Sequence, residues 1–319
     1  MESNLTLAMY LLTWLQNLFA VNAGSNTLTM FAVDTCNQTK LTMVGKPVAL
    51  VGEFPVTVTS SRKHKLVCVG MTGAKAGVSC APFTHKGIGA MDALRAFDLK
   101  QTTPPVGPLN TVSQVFFSGD QSMLFSTVKG DPTKNNTGFL AAFPVQAKVS
   151  GKAASVAPEG TKSSPAGTAV LFGSSVSTRS SDIFVTDASF GGAVLSIDKT
   201  GAATTKGKSA IDGQKATCWS TINKVTNSAF VTDAGTNRLV EMSLNNATIL
   251  SQIDLSANGD PGLIDLQSAG QFVYALSPGN GTTDAAVTVV NAVTRKQVQH
   301  VSLRSAGANK NAMGLTLII

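Results

Sequence analysis

One short pattern recurs along the chain and limits the folds that the chain can adopt. Residues 19–33 read FAVNAGSNTLTMFAV, and residues 230–244 read FVTDAGTNRLVEMSL, so the two segments align without a gap. Each is an apolar run, a polar turn with glycine and asparagine, and a second apolar run. Glycine and asparagine accept positive φ at low cost, as tight hairpin turns require. The pattern therefore predicts a repeated β-hairpin.

Further copies of the hairpin divide the chain into similar repeats. A copy one residue shorter spans 184–197, and weaker copies span 66–83, 124–145 and 272–293. An apolar run that suits another short strand precedes five of the hairpins, at 56–60, 115–118, 169–173, 220–223 and 263–266. A fourth candidate strand follows the hairpins, as at 41–48. Four short strands in each of several repeats are typical of the blades of a β-propeller.

The repeats predict an all-β fold, a β-propeller with six complete four-stranded blades and a partial or reduced seventh. The final segment, residues 314–319 (GLTLII), is apolar and has no hairpin of its own. In a propeller such a strand can close the ring, so we expect it beside residues 1–16 or against the first blade. We assign residues 17–319 to a single propeller domain.

Residues 1–16 form an N-terminal extension with more than one interpretation. The apolar run 5–19 (LTLAMYLLTWLQNLF) is short for a transmembrane helix, so we expect no membrane span. It is similar to a signal-peptide core, and 21–23 would suit cleavage. No basic residue precedes the run, however, and cleavage there would destroy the first hairpin. The extension is then a strand, a short helix or a signal-like segment.

The charge balance bears on the partners that the chain can take. The chain carries 25 lysines and arginines against 18 acidic residues, a net charge of +7. The basic residues are scattered, with the densest cluster at 62–65, and few aromatic residues are available to stack on bases. We therefore expect no nucleic-acid partner. The net positive charge favours an anionic small molecule, whereas Glu53 would oppose an anion beside it unless it is protonated or paired with an arginine; otherwise the ligand is neutral.

The cysteines and histidines do not have the spacing of a metal site. No Cys-x-x-Cys pair occurs and the three histidines are scattered, so we expect neither a metal nor a cofactor. Cys68 and Cys80 lie on the two strands of one hairpin and should face each other. They form a disulfide in a secreted protein, or else they are buried thiols. Cys36 and Cys218 are expected to be too distant to pair.

Two other sequence features bear on secretion and on structure. Five N-x-S/T sequons permit a secreted glycoprotein, at Asn4, Asn37, Asn135, Asn246 and Asn280. Asp187 and Asp233 follow strands at equivalent positions of two repeats. Repetition favours a structural role for both, an Asx turn that caps the hairpin, over catalysis.

A ligand site is expected where the repeats differ. The innermost strand of each blade lines the propeller axis, and the segments at which these strands begin are not alike. Four residues from three of these segments would offer a charge, an amide, a hydroxyl and a ring: Glu53, Gln114, Thr217 and Trp219. Glu53 is the candidate catalytic acid or base, and the other three are candidate ligand-binding residues. The structural alternative is that Glu53 pairs with a neighbouring backbone or arginine and that Trp219 only fills the wall.

Three segments carry a family resemblance, namely 19–31 (FAVNAGSNTLTMF), 46–58 (KPVALVGEFPVTV) and 212–220 (DGQKATCWS). They resemble fungal secreted proteins of the 3-carboxy-cis,cis-muconate cyclase-like family, which belong with the seven-bladed propellers of the 6-phosphogluconolactonase type. The resemblance implies seven blades, a secreted protein and a lactone-forming or lactone-opening ancestry. The family's cyclases use histidine, arginine and glutamate around the channel. None of the three histidines here begins an inner strand, so that mechanism does not transfer.

Two functional hypotheses follow from this evidence. The first is a secreted, lactonase-like propeller that binds a small molecule or a partner at the axial channel without catalysis. The alternative is an enzyme, a lactonizing isomerase or a lactone hydrolase acting on a small carboxylate or lactone. Because one fold supports many functions, the choice depends on the chemistry of the site.

Overall fold

The architecture is that of an all-β propeller with six blades. The computed structural model describes residues 17–149, 153–177 and 180–318. Its strands form six antiparallel sheets, each one blade, and its helices are three single 3₁₀ turns, Pro132–Lys134, Ser256–Asn258 and Arg304–Ala306. The six predicted blades are confirmed. Within the described residues there is no sheet that would be a seventh blade.

The chain divides into two compact units. The first runs through Ser126 and includes Ala141–Thr161, and the second comprises Thr127–Leu140 and Lys162–Leu317. Blade one contains β1 (Asn17–Asn22), β2 (Thr27–Val33), β3 (Leu41–Met43) and β4 (Val48–Ala49). Blade two contains β5 (Pro55–Ser61), β6 (Leu66–Met71), β7 (Gly77–Thr84), β8 (Gly87–Ile88) and β9 (Arg95–Ala96). Blade three, which contributes to both units, contains β10 (Val112–Phe117), β11 (Met123–Val128), β12 (Phe139–Gln146), β13 (Ser155–Val156) and β14 (Thr161–Ser163).

The second unit contains three complete blades of four consecutive strands each. Blade four contains β15 (Leu171–Val176), β16 (Ile183–Asp187), β17 (Gly191–Ile197) and β18 (Ala203–Ala210). Blade five contains β19 (Thr217–Asn223), β20 (Ser228–Asp233), β21 (Arg238–Ser243) and β22 (Ile249–Asp254). Blade six contains β23 (Asp265–Ala269), β24 (Phe272–Ser277), β25 (Ala286–Asn291) and β26 (Lys296–Ser302). In each of these three sheets the strands follow chain order.

The first strand of a blade is its inner strand, and inner strands of successive blades pack side by side. In the first unit, the Val115 amide of β10 donates to Thr57 Oγ1 of β5 at 3.1 Å. In the second unit, Ser175 Oγ of β15 donates to the Ser220 carbonyl oxygen of β19 at 3.0 Å. These polar contacts occupy backbone groups that a strand edge would otherwise leave unpaired.

Threonines on the second strands provide further ties between successive blades of the second unit. Thr127 Oγ1 donates to the Phe172 carbonyl oxygen at 3.0 Å, and Thr186 Oγ1 donates to the Cys218 carbonyl oxygen at 2.5 Å. Both threonines are fully buried. Blades three and four are thus each tied to the inner strand of the next blade, whereas Thr232 of blade five bonds Trp219 of its own blade.

Apolar side chains fill the spaces between blades. In the second unit, Phe184 of blade four packs with Val231 and Met242 of blade five. In the first unit, Leu28 of blade one packs with Val67 of blade two. Each buried side chain of this size contributes about 1.5–3 kcal/mol relative to an exposed one. The cores thus lie between the flat faces of the blades, as the alternating apolar pattern of the strands requires.

The predicted structural role of Asp187 and Asp233 is confirmed. The Asp187 carboxylate accepts the backbone amides of Ala169 at 2.7 Å and Ser189 at 2.9 Å. The Asp233 carboxylate accepts those of Lys215 at 2.8 Å and Gly235 at 2.9 Å. Each aspartate therefore closes an Asx turn and also ties the start of its blade's inner strand to the second strand.

The prediction of a closing strand at the C-terminus requires a correction. Residues 314–318 form no strand, and the Leu315 amide donates instead to Asp265 Oδ2 at 2.7 Å. A strand needs a partner backbone, whereas this amide finds a carboxylate. The extension 1–16 and Ile319, which the prediction also involved, lie outside the described residues. None of the described helices is long and apolar enough to cross a membrane.

Candidate functional site

Glu53, the candidate catalytic residue, lies just before β5 in the first unit. Its Oε2 accepts a hydrogen bond from Thr103 Oγ1 at 2.5 Å, and its Oε1 lies 3.8 Å from Lys75 Nζ. Its backbone is also bonded to Lys75 and Gly73. The structural alternative is that Glu53 pairs with a backbone group or an arginine. The Glu53 side chain is indeed paired, but its partners are a lysine and a threonine.

The other three predicted residues lie on inner strands. Gln114 is half-buried on β10 in the first unit. Thr217 begins β19 in the second unit, where it is buried and its hydroxyl donates to Gln214 Oε1 at 3.1 Å. Trp219 follows on the same strand and packs against a core that includes Leu266. Thr217 thus helps to close a turn, while Trp219 forms a wall.

Lys129 is a half-buried cation of the second unit. It follows β11, and its Nζ lies 4.4 Å from the centroid of the Phe172 ring on inner strand β15. Among the described residues, no carboxylate lies within ion-pair distance of Lys129 Nζ. A half-buried ammonium group against an aromatic face gains from the ring but lacks a counter-charge.

An aromatic wall extends from Lys129 along the inner strands. The Phe172 ring meets the Trp219 ring edge-on, with centroids 5.8 Å apart and planes at 83°. The indole Nε1 of Trp219 forms no hydrogen bond with the residues that the structure describes. Trp219 is half-buried, so the wall retains an indole N–H donor.

Cys218 lies near the charged groups Lys129 and Asp265, and Asp265 begins inner strand β23. Burial lowers the pKa of Lys129 to about 8, although the neighbouring Cys218 opposes that shift. Burial raises the pKa of the Cys218 thiol to about 12, opposed by Lys129 and reinforced by Asp265 and Asp233. Cys218 Sγ donates to the Ile264 carbonyl oxygen at 3.2 Å. A thiol that stays protonated is a poor nucleophile, so Cys218 serves packing.

Asp265 is a buried carboxyl at the start of β23. Its Oδ1 accepts the Leu266 amide at 2.7 Å, in addition to the Leu315 contact on Oδ2. Burial raises the pKa of Asp265 to about 7, and the two backbone hydrogen bonds only partly offset that rise. No lysine or arginine in the described part of the chain pairs with it. We call Lys129, Phe172, Cys218, Trp219 and Asp265 the inner-strand cluster.

Three members of the inner-strand cluster were not singled out by the sequence analysis. Asp265 lies within the predicted strand 263–266 (LIDL), and a carboxyl in an apolar strand is a signal of a perturbed group. Lys129 is followed by Gly130 and Pro132, and this sequence is typical of an ordinary surface turn. Phe172 is one of many apolar residues in its strand. The described residues contain no group of side chains that could hold a metal ion.

The two cysteines predicted to face each other do so. Cys68 and Cys80 are cross-strand partners on β6 and β7, with Cα atoms 4.0 Å apart, and they form a disulfide. Cys36 and Cys218 are free thiols, the first exposed and the second buried.

Comparison with known proteins shows the fold and no closer relationship. No family model and no curated protein sequence matches the chain. Several solved structures share the fold. A candidate 6-phosphogluconolactonase from Bacteroides uniformis has a TM-score of 0.67 and 14% identity over 90% of this chain and 82% of its own. A protein from Lactobacillus plantarum has a TM-score of 0.65 and 12% identity over 90% of this chain and 82% of that one.

A periplasmic gluconolactonase from Pseudomonas aeruginosa also shares the fold, with a TM-score of 0.62 and 13% identity. The match covers 90% of this chain and 82% of that one. The chain is thus a β-propeller whose structural neighbours include proteins described as lactonases. At such low identity the similarity extends to the fold alone, and the site must be judged on its own residues.

Proposed function

We propose that the protein binds a small organic anion, such as a sugar acid or a lactone that retains a free carboxylate, at the inner-strand cluster. The observation that carries this proposal is the unpaired ammonium group of Lys129 against the Phe172 ring. A carboxylate placed beside Lys129 would supply the missing counter-charge through a charge-assisted hydrogen bond. The net charge of +7 attracts such a ligand over longer distances.

The aromatic wall suits the remainder of such a ligand. Phe172 and Trp219 present apolar ring surface on which the carbon skeleton of a sugar acid can pack. The indole N–H of Trp219 can donate to a ligand hydroxyl or carbonyl. An apolar surface with a few polar groups that orient the ligand is typical of small-molecule sites.

Isothermal titration calorimetry with gluconate and 6-phosphogluconate tests the proposal. Lys129→Met should weaken binding at least about tenfold, which is the loss of about 1.4 kcal/mol expected for one charge-assisted contact. Lys208→Met is a matched control, because Lys208 Nζ also lies over a phenylalanine ring, that of Phe190 at 5.3 Å. It is, however, exposed and bonded to the Gly167 carbonyl oxygen.

The wild-type protein should bind both anions more weakly as the pH rises past about 8, where free Lys129 loses its proton. The proposal is wrong if neither anion binds, or if Lys129→Met and Lys208→Met have equal effects.

The second candidate function is that of a lactone hydrolase or lactonizing isomerase. The buried carboxyl of Asp265 favours it, because a pKa of about 7 suits a general acid or base. In hydrolysis, Asp265 would take a proton from the water that attacks the lactone carbonyl carbon. The ring bond between that carbon and the ester oxygen would then break, and Asp265 would return the proton to the departing alkoxide. Release of acid from glucono-δ-lactone and cyclisation of 3-carboxy-cis,cis-muconate are the two assays. Asp265→Asn should abolish turnover, whereas Glu53→Gln should retain it; the opposite result would return the catalytic role to Glu53.

Secretion and membership of the carboxymuconate cyclase-like family are also proposed. The Cys68–Cys80 disulfide supports secretion, because such bonds persist in oxidising compartments. The three sequence segments that resemble the fungal family support the membership. Detection of the protein in the culture medium of its source organism, with that disulfide intact, tests the location.

A further inference from the structure

The sequons lie at selected places in the fold. The structure describes four of them, and their asparagines, Asn37, Asn135, Asn246 and Asn280, are all exposed outside the strands. Other asparagines are not so placed, since Asn223 is fully buried. Each of the four has threonine as its third residue. All four asparagines are therefore accessible in the folded protein.

Three of these sequons share a local geometry. Asn37 Oδ1 accepts the Thr39 hydroxyl at 2.6 Å, and Asn246 Oδ1 accepts the Thr248 hydroxyl at 3.0 Å. Asn280 Oδ1 accepts the Thr282 amide at 2.9 Å. Each asparagine thereby uses its amide oxygen within the sequon. Its Nδ2 makes no hydrogen bond with the described residues.

These turns depend only on neighbouring residues. Asx turns form from the asparagine and the two or three residues after it, so they need no contact with the rest of the fold. A newly made chain can therefore present the Nδ2 group before the blade is complete, and the folded protein still leaves it exposed.

Asn135 differs from the other three. It has φ +53° at the end of the 3₁₀ turn Pro132–Lys134, and its side chain makes no hydrogen bond with Thr137. The loop that contains Asn135 is held against blade four. The amides of Gly130 and Gly138 both donate to the Ala169 carbonyl oxygen, at 2.9 and 2.7 Å. A Cβ atom at Gly138 would lie 2.3 Å from a backbone oxygen, so this loop has little room to adjust.

Two of the sites adjoin exposed sheet edges. Asn37 lies in the turn that leads into β3, and Asn246 in the turn that leads into β22, each the outermost strand along its sheet. These strands expose large apolar side chains, Met43 at 53% and Leu250 at 52%. Exposed apolar edge strands favour unwanted pairing, and a bulky hydrophilic group beside them would hinder it.

We infer that Asn37, Asn246 and Asn280 carry N-linked glycans, that Asn135 does not, and that the first two glycans shield the outer edges of blades one and five. The inference rests on the proposed secretion. In the transfer step, Nδ2 attacks the anomeric carbon of a polyprenyl-diphosphate oligosaccharide. A C–N bond replaces the C–O bond, and the polyprenyl diphosphate and one proton leave.

The test uses the full chain behind a heterologous secretion signal in cultured insect cells. Treatment with peptide N-glycosidase in H₂¹⁸O converts each glycosylated asparagine to ¹⁸O-labelled aspartate, which peptide mass spectrometry locates. We expect label at positions 37, 246 and 280 and none at 135. The variants Thr39→Ala and Thr248→Ala should each remove one gel mobility step, while Thr39→Ser and Thr248→Ser should retain it.

Protein retained in the cells is analysed in the same way, so poor export does not leave the inference untested. Absence of label at any of the three sites, or label at Asn135, overturns that part of the assignment. Anion binding is measured on unglycosylated bacterial protein, so a failure of the glycan assignment is separate from a failure of the ligand proposal.

Discussion

The buried carboxyl of Asp265 should make the stability of the protein depend on pH in a direction opposite to that of most carboxyls. In the folded state its pKa is raised from 3.8 to about 7. The folded chain therefore holds a proton that the unfolded chain has released between about pH 4 and pH 7. Stability falls as the pH rises through this interval, because the folded state binds more protons than the unfolded state.

The size of the effect follows from the same values. The pKa of Asp265 rises by about three units on folding, and each unit corresponds to about 1.4 kcal/mol. The folded state is therefore destabilised by about 4 kcal/mol when Asp265 is charged. Asp265→Asn removes the charge, but its single amide oxygen can replace only one of the two oxygens that accept the Leu266 and Leu315 amides. Losing one such hydrogen bond costs about 1 kcal/mol.

At pH 5 the unfolded chain has already released its proton, which costs the wild type about 1.5 kcal/mol and offsets the hydrogen bond that the variant loses, so the two proteins should be about equally stable. At pH 8 the variant should be more stable by about 3 kcal/mol. Urea denaturation followed by circular dichroism at both pH values measures this gain. Asp254→Asn is a suitable control, because the backbone hydrogen bond to Ser256 lowers the pKa of that exposed carboxyl. An equal stability difference at pH 5 and pH 8 for Asp265→Asn would refute the reasoning.

Two further predictions concern packing and a buried ion pair. Gly173→Ala should destabilise the protein by about 1–3 kcal/mol, since its Cβ would lie 2.6 Å from the Trp219 Cα on the adjacent inner strand. Gly314→Ala, which meets open space, should leave the thermal midpoint unchanged, and equal midpoints for both variants would contradict this. Arg95→Met should cost about 3 kcal/mol, because the buried guanidinium pairs with Asp92 at 2.8 Å and donates to two carbonyl oxygens of blade three. An unchanged urea midpoint for Arg95→Met would show that this network contributes no net stability.

The repeats of this sequence were sufficient to predict the blades. Hairpin 230–244, for example, becomes β20 and β21, with Thr232 opposite Leu239 next to the turn. Such a prediction succeeds because strand alternation and turn chemistry act between residues that are close in the chain. The same holds for the facing of Cys68 and Cys80 and for the Asx turn of Asp233.

The inner-strand cluster was decided by tertiary structure. Glu53 and Lys129 are both single charges near the end of an apolar segment, and nothing nearby in the sequence distinguishes them. The fold gives Glu53 a lysine and a threonine as partners, whereas it sets Lys129 against a ring of the next blade without a carboxylate.

The C-terminal segment shows the same dependence on distant residues. Its apolar alternation predicts a strand, but its Leu315 amide meets the carboxyl of Asp265, which lies 50 residues earlier in the chain. Burial and partnership determine both the charge of a group and the pairing of a backbone amide. Local sequence thus determined the strands and turns of this protein, and the packing of one blade on the next determined which of its charges lack a partner.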